Sequence, residues 1–229
     1  MIEPSILDEI WRHRLSRADL AASLRDCEPR NRPHGGHQMK LFNNPPSPYG
    51  RKVMVVAHEK GLVDRLELHA IDPWSDPPLL IATTPVGKVP ALVTDDGLLI
   101  TESTTISEYF DQVGSGPKLI GRDRFEVMAR TALAQGLIDA AFGTVIERRR
   151  PAERQWPLWV ERQRRAIDRT LARIIPAQGR FDLGDIALAC GLGYLDFRLP
   201  EITWRDANRA LAQWFEAASQ RPSMLATKP

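Results

Sequence analysis

From Met39 onward the spacing of apolar and polar positions changes from one stretch to the next. Lys40-Leu41-Phe42 reads as a short strand and Asn43 to Pro48 as a loop. Ser47-Pro48 has the form of a helix start, a hydroxyl N-cap followed by proline at the first helical position, and predicts a helix to about Lys60 closed by Gly61. Leu66 to Ile71 alternates like a strand, and Asp72 to Pro78 carries the prolines of a turn. Two apolar runs, Val89 to Thr94 and Leu98 to Thr101, flank Asp95-Asp96-Gly97; this is a hairpin signature in which Gly97 takes positive φ. Glu102-Ser103 then opens a helix through Gln112, with Ile106, Tyr109, Phe110 and Val113 giving it an apolar stripe. The order is strand, helix, strand, short helix or loop, hairpin, helix.

After Gly114-Ser115-Gly116-Pro117 the strand signals largely stop. Arg122 to Arg150 and Glu153 to Ile175 predict long helices separated by Pro151. Asp182-Leu183-Gly184-Asp185 has the spacing of a capping box ahead of the apolar, and therefore buried, helix that starts near Ile186. Arg205 to Ser219 supplies a last helix, with Ala210, Leu211, Trp214 and Phe215 on one side. Upstream, Ile6 with Ile10, and Leu7, Trp11 and Leu15, give a helix over about Ser5 to Leu24, followed by a polar linker, Cys27 to Gln38. The chain thus divides into an extension over 1–38, a mixed unit over 39–116 and an all-helical unit over 117–229, an α+β class.

With 43% apolar and 26% charged residues among 229, a folded globular chain is expected. The longest nearly apolar run, Ile186 to Leu195, is about half the roughly 20 residues that cross a bilayer, and the first 30 residues lack the continuous apolar stretch of a secretory signal. No membrane association and a cytoplasmic location are the expectation. Cys27 and Cys190 make one disulfide at most, and neither has a partner at metal-ligand spacing, so no metal is expected. Residues 39–116 hold 6 basic and 10 acidic side chains against 19 and 13 in 117–229. The arginines of the second half, including Arg148, Arg149, Arg150, Arg154, Arg162, Arg164 and Arg165, are interspersed with carboxylates, the pattern of a solvated helical face rather than of a nucleic-acid surface.

Three loops carry the candidate chemistry. Ser47 places a hydroxyl at a helix start, where it caps the helix and where an anion such as a thiolate is also favoured. Pro90 stands at a strand entrance; it is either a trans proline at a sheet edge or a cis proline that turns the Val89 amide and carbonyl outward toward an extended peptide ligand. Glu102-Ser103 again brings a carboxylate and a hydroxyl to a helix start, where free amides receive a carboxylate or the side chains simply cap.

Together these loops resemble the cytosolic glutathione transferases of the bacterial type with serine in the active-site loop. The resemblance runs from Met39 to about Ser219 and rests on Pro46-Ser47-Pro48-Tyr49-Gly50-Arg51-Lys52-Val53, on Val86-Gly87-Lys88-Val89-Pro90-Ala91-Leu92 and on Leu99-Ile100-Thr101-Glu102-Ser103 followed by Ile106 and Tyr109. It implies a thioredoxin-like βαβαββα domain ahead of a helical C-terminal domain, glutathione as co-substrate, a homodimer, and transfer of the thiol to a small hydrophobic electrophile in detoxification. It gives Ser47 the role of donor to the glutathione sulfur, with Tyr49 as the competing donor, and makes Pro90 the cis proline. Val89 pairs with the cysteinyl unit, Glu102 and Ser103 hold the γ-glutamyl group, and Lys88 assists at the glycyl carboxylate. With no cysteine from Asn43 to Arg51, mixed-disulfide chemistry has no protein nucleophile there. The electrophile is expected between Tyr49 and the helices beginning near Arg122, against Met128, Phe142, Trp156 or Trp159. The alternative is a protein that keeps this fold as a non-catalytic scaffold for protein partners.

Overall fold

The computed structural model describes residues 38–177 and 179–229; the extension expected over 1–38 lies outside them except for Gln38, as do its helix and Cys27. Strands β1 (Met39–Asn43), β2 (Leu66–Ala70), β3 (Ala91–Val93) and β4 (Leu99–Thr101) form one four-stranded sheet in the order β2-β1-β3-β4. Helix α1 (Pro48–Glu59) is the crossover that makes β1 and β2 parallel, and β3 and β4 form the expected hairpin, with Gly97 at φ 87°. Helices α2 (Pro78–Thr83) and α3 (Ser103–Val113) complete a thioredoxin-like unit.

The register fixes where the loops meet. Asn43 lies opposite Ala70, Phe42 opposite Ala91, and Ala91 opposite Thr101. The loops after β1, after β2, before β3 and after β4 therefore all open at one end of the sheet. Helices α1 and α3 start at that end, with their unpaired amides toward it.

The described residues from Arg124 onward carry helices alone: α4 (Arg124–Arg148), α5 (Pro157–Leu171), α6 (Leu183–Arg198), α7 (Trp204–Ala207), α8 (Arg209–Ser219) and α9 (Pro222–Ala226). The helix expected from Glu153 is instead a 3-10 turn, Ala152–Arg154, and α5 begins only at Pro157, whose ring suits a first helical position. The helix expected over Arg205–Ser219 is two, because the Asn208 side chain accepts from Leu211 N at 3.0 Å and caps α8 anew. The turn over Asp72 to Pro78 holds a 3-10 turn, Pro73–Ser75, capped by Asp72, which accepts from Trp74 N at 3.2 Å.

One apolar core runs through both units, joining Leu41, Val53, Val56 and Phe110 to Leu137, Ile186, Leu188 and Leu195. Helix α6 passes through it, held at its start by the capping box: Asp182 accepts from Gly184 N and Asp185 N, and Asp185 accepts from Asp182 N at 3.1 Å. Arg130 of α4 pairs with both carboxylates, and burial nevertheless pushes the Asp185 carboxyl above its ordinary range.

Two polar clamps fix α1 to its surroundings. Lys60, fully buried, donates to the carbonyls of Gly116 and Pro117 at 2.8 Å each and pairs with Asp111 at 3.1 Å, while Asp111 accepts from Leu119 N and Ile120 N. At the C-terminal end of the chain, Arg51 donates to Met224 O at 3.2 Å, and Glu59 accepts from Arg221 at 2.8 and 2.9 Å and from Ser223 at 2.6 Å. Burial alone raises the Glu59 carboxyl, but Arg221 and Ser223 outweigh it and hold the group below its ordinary range. On the outer surface Arg148 pairs with Glu201, Arg150 with Glu147, Arg164 with Asp168 and Arg165 with Glu161. No helix among the described residues is long and apolar enough to cross a membrane.

Candidate active site

Ser47 is extended (φ −76°, ψ 125°), and its Oγ accepts from Gly50 N at 3.2 Å, the N-cap geometry that its sequence context predicts. That bond uses a lone pair. Among the described residues no acceptor takes the Ser47 hydroxyl proton, which is left to donate to a ligand. Gly50 is required here, since a Cβ would overlap the Asn43 carboxamide and crowd Asn44 O, so the loop folds back onto α1 only because this position is bare.

Tyr49 is committed elsewhere. Its hydroxyl donates to Asp139 Oδ1 of α4 at 2.8 Å, and burial together with that acceptor drives the phenol far above its ordinary range. A neutral tyrosine whose only proton is already given to a carboxylate is a poor donor to sulfur. The ring still lines the cleft, meeting Phe142 edge-on at 5.5 Å.

The Val89–Pro90 peptide is cis, and Pro90 is buried at the entrance to β3. Among the described residues neither the amide nor the carbonyl of Val89 is hydrogen-bonded, so a short stretch of unpaired strand edge faces the open end of the sheet. Lys88 beside it is exposed. Across β3 and β4, Glu102 sits at φ 73° and turns its carboxylate onto the start of α3, accepting from Thr104 N at 3.0 Å, Thr105 N at 3.2 Å and Ser103 Oγ at 3.1 Å. Burial by itself raises the Glu102 carboxyl; the amides of Thr104 and Thr105 and the nearby Lys52 ammonium overcome it and hold the group ionised below its ordinary range. The Ser103 amide, first in the helix, carries no partner among the described residues.

Lys52 is the residue that the sequence reading missed. It is fully buried beneath this site, where its Nζ donates to Thr104 Oγ1 at 3.0 Å and Gln135 Oε1 at 2.7 Å. Burial depresses its ammonium to about 8, with Glu102 resisting the change. No periodicity marks this lysine, which lies on a helix face otherwise built from Val53 and Val56. Asp139, Gln135 and Trp74 were also missed, although Gln135, Asp139, Phe142, Ile146 and Arg149 recur at spacings of four, three, four and three and so share one face of α4.

Of the four side chains expected to meet the electrophile, Phe142 does line the cleft, against Tyr49 on one side and Trp74 at 6.4 Å on the other. Trp156 and Trp159 stack on each other at 6.3 Å, and Met128 packs against the core. Cys190 is buried in α6, and burial raises its thiol to about 11, which suits packing rather than reactivity. A separate cavity of about 820 Å³ lies between the 174–182 loop and α8, away from every residue named for the thiol site.

This geometry places three loops at one sheet end beside a donor hydroxyl, and comparison with known proteins bears on what it belongs to. The family model for the glutathione S-transferase N-terminal domain matches residues 46–113, and that for the C-terminal domain matches 131–217. The chain belongs to the glutathione S-transferase family. Within the family it is 33% identical over 201 residues to a GST-like protein of Escherichia coli K12, YibF, an alignment covering 83% of this chain and 98% of that one. A glutathione transferase family member from Pseudomonas fluorescens Pf-5, crystallised with bound glutathione, is 42% identical with a TM-score of 0.79 over 84% of this chain and 99% of that one. A second, from Methylobacillus flagellatus with glutathione bound, is 34% identical with a TM-score of 0.78, covering 84% and 100%.

Proposed function

We propose that this protein is a glutathione transferase of the serine type, in which Ser47 stabilises the glutathione thiolate for attack on a small electrophile. The observation that carries the reading is the Ser47 hydroxyl proton, free at the start of α1 and at the same sheet end as the unpaired Val89 backbone. The crystallised relatives from Pseudomonas fluorescens and Methylobacillus flagellatus hold glutathione, which supports the choice of co-substrate. Val89 pairs with the cysteinyl unit as an added strand, with Pro90 holding the turn. Glu102 and Ser103 receive the γ-glutamyl group, and Lys88 reaches the glycyl carboxylate.

The magnitudes are adequate. A thiol with a pKa of about 8.5 is only about 3% ionised at pH 7, and lowering it by about two units takes roughly 2.7 kcal/mol. One charge-assisted hydrogen bond, about 1.5 to 3 kcal/mol, and a helix terminus, about 0.3 to 1, supply that. The thiol proton passes to solvent as the thiolate forms, and the thiolate then attacks the electrophilic carbon of the acceptor, where a leaving group departs with its bonding pair or a polarised double bond takes up the electrons. Ser47 donates a hydrogen bond throughout and forms no covalent bond.

The experiment is glutathione calorimetry from pH 6 to 9. Binding with proton release below pH 8 is expected, and absence of binding at millimolar glutathione overturns the reading. We propose also a homodimer in the cytosol. Phe125, 87% exposed at the start of α4, and Leu133 on the same helix provide apolar surface for the partner protomer. Sedimentation giving a monomer at micromolar concentration refutes the dimer.

A further inference from the structure

The face of α4 that looks into the cleft changes character along its length. Gln135 meets Lys52 and Asp139 meets Tyr49 at the thiol end; Phe142 follows, between Tyr49 and Trp74; Arg149, at the end of the helix, lies with its guanidinium 5.5 Å over the Trp74 ring. At about 1.5 Å per residue, Asp139 and Arg149 stand roughly 15 Å apart along the axis. The cleft thus runs from a hydrogen-bonded end through an aromatic middle to a cationic end.

The middle is open to a ligand. Trp74 is 58% exposed although it is a large apolar ring in a short capped turn, and its ring lies nearly parallel to Phe142, at 21°, rather than folded into the core. Such a half-covered aromatic pair offers faces and edges to a further planar group.

The cationic end is uncommitted. Among the described residues Arg149 makes no ion pair, while the neighbouring Arg148 and Arg150 are paired with Glu201 and Glu147. Of the other carboxylates on α4, Asp139 at the far end of the cleft accepts from both Tyr49 and Gln135, and Glu147 also accepts from Trp156 N. Guanidinium is the side chain whose fork matches a carboxylate, and it is weakly hydrated enough to exchange water for one.

Building on the thiol site proposed above, we propose that the acceptor half of this cleft takes a planar electrophile carrying an anionic group, its ring against Tyr49, Phe142 and Trp74 and its charge met by Arg149. With an aryl chloride the step balances simply: glutathione sulfur bonds to the ring carbon, chloride leaves with the electron pair of the C–Cl bond, and the thiol proton goes to solvent.

The test uses a matched pair, 4-chloro-3,5-dinitrobenzoate and its methyl ester, with each enzymatic rate divided by the uncatalysed rate of the same acceptor with glutathione. The S-linked glutathione conjugates of both acceptors are titrated in parallel by calorimetry, so that binding is read whether or not turnover is fast. The carboxylate conjugate is expected to bind about tenfold tighter than the ester conjugate, with the same preference in kcat/KM. Arg149→Gln should abolish the preference, Arg149→Lys should keep part of it, and Arg154→Gln, outside the cleft, should keep all of it. Equal affinity for the two conjugates, or preference for the ester, overturns the proposal. Failure of both conjugates to bind while glutathione still binds also overturns it and leaves the thiol site standing. If glutathione itself does not bind, the thiol site falls and this proposal falls with it.

Discussion

At Ser47 one side chain serves two ends, since its oxygen caps α1 while its proton remains free. Removing it therefore has separable effects. Ser47→Ala should lower stability by about 1 kcal/mol, the ordinary cost of a lost N-cap, read as a shift in the urea midpoint. It should abolish most of the proton release on glutathione binding; equal retention of that release would leave Ser47 as a cap alone. Tyr49→Phe tests the competing donor. Because the Tyr49 proton belongs to Asp139, this variant should keep proton release and lose no more than a few-fold in kcat/KM. Lys52 gives a pH signature. Its ammonium is held at about 8 in the folded chain against 10.5 when exposed, so burying the charge costs stability below pH 8, and that cost is relieved as pH rises from about 8 toward 10.5. Stability of the wild type relative to Lys52→Met should rise across that window in urea titrations. Taking the difference removes the alkaline titrations of groups that Lys52 does not touch.

At the scale of elements, what the sequence made legible was local chemistry. Ser47-Pro48, Gly61, Asp95-Asp96-Gly97 and the Asp182 and Asp185 pair each act within one turn of chain, and among the described residues the predicted elements begin within a few residues of their expected places. Misreadings fall where a local stop competes with a continuing pattern. The apolar period running through 205–219 is real, but Asn208 finds a backbone amide to accept from and divides the segment. The residues proposed for the thiol side were legible for the same reason that the helices were, because they sit at element starts. The acceptor side was not. Lys52, Gln135, Asp139 and Trp74 acquire meaning from contacts between residues 52 and 135, 49 and 139, and 74 and 142, and no spacing within one element encodes those pairings.

At the scale of the molecule, Lys60 and Asp111 join the two units by holding the chain where it passes from one to the other. Asp111→Asn leaves a buried ammonium without its counter-charge, and we expect a loss of about 3 kcal/mol or more in denaturant unfolding, with a single transition retained. Glutathione affinity of the protein that remains folded should be unchanged, since the clamp touches none of the thiol loops. A loss of affinity larger than the loss of stability would mean that the clamp also positions the site.

The fastening of α1 at both ends also separates the two walls of the cleft in time. Arg51 and Glu59 bind the segment around α9, Lys60 binds the linker, and the apolar face between them lies in the shared core. The hydrogen-bonded amides of α1 beyond its first turn therefore have no small opening through which to exchange with solvent deuterium, and they should exchange only when the whole molecule unfolds. The turn carrying Trp74 rests on a few contacts and should exchange early. On the proposed reading, the wall that grips the thiol is stiff and the wall that meets the acceptor is pliant, so an enzyme of this design would accommodate acceptors of several shapes without loosening its hold on the sulfur.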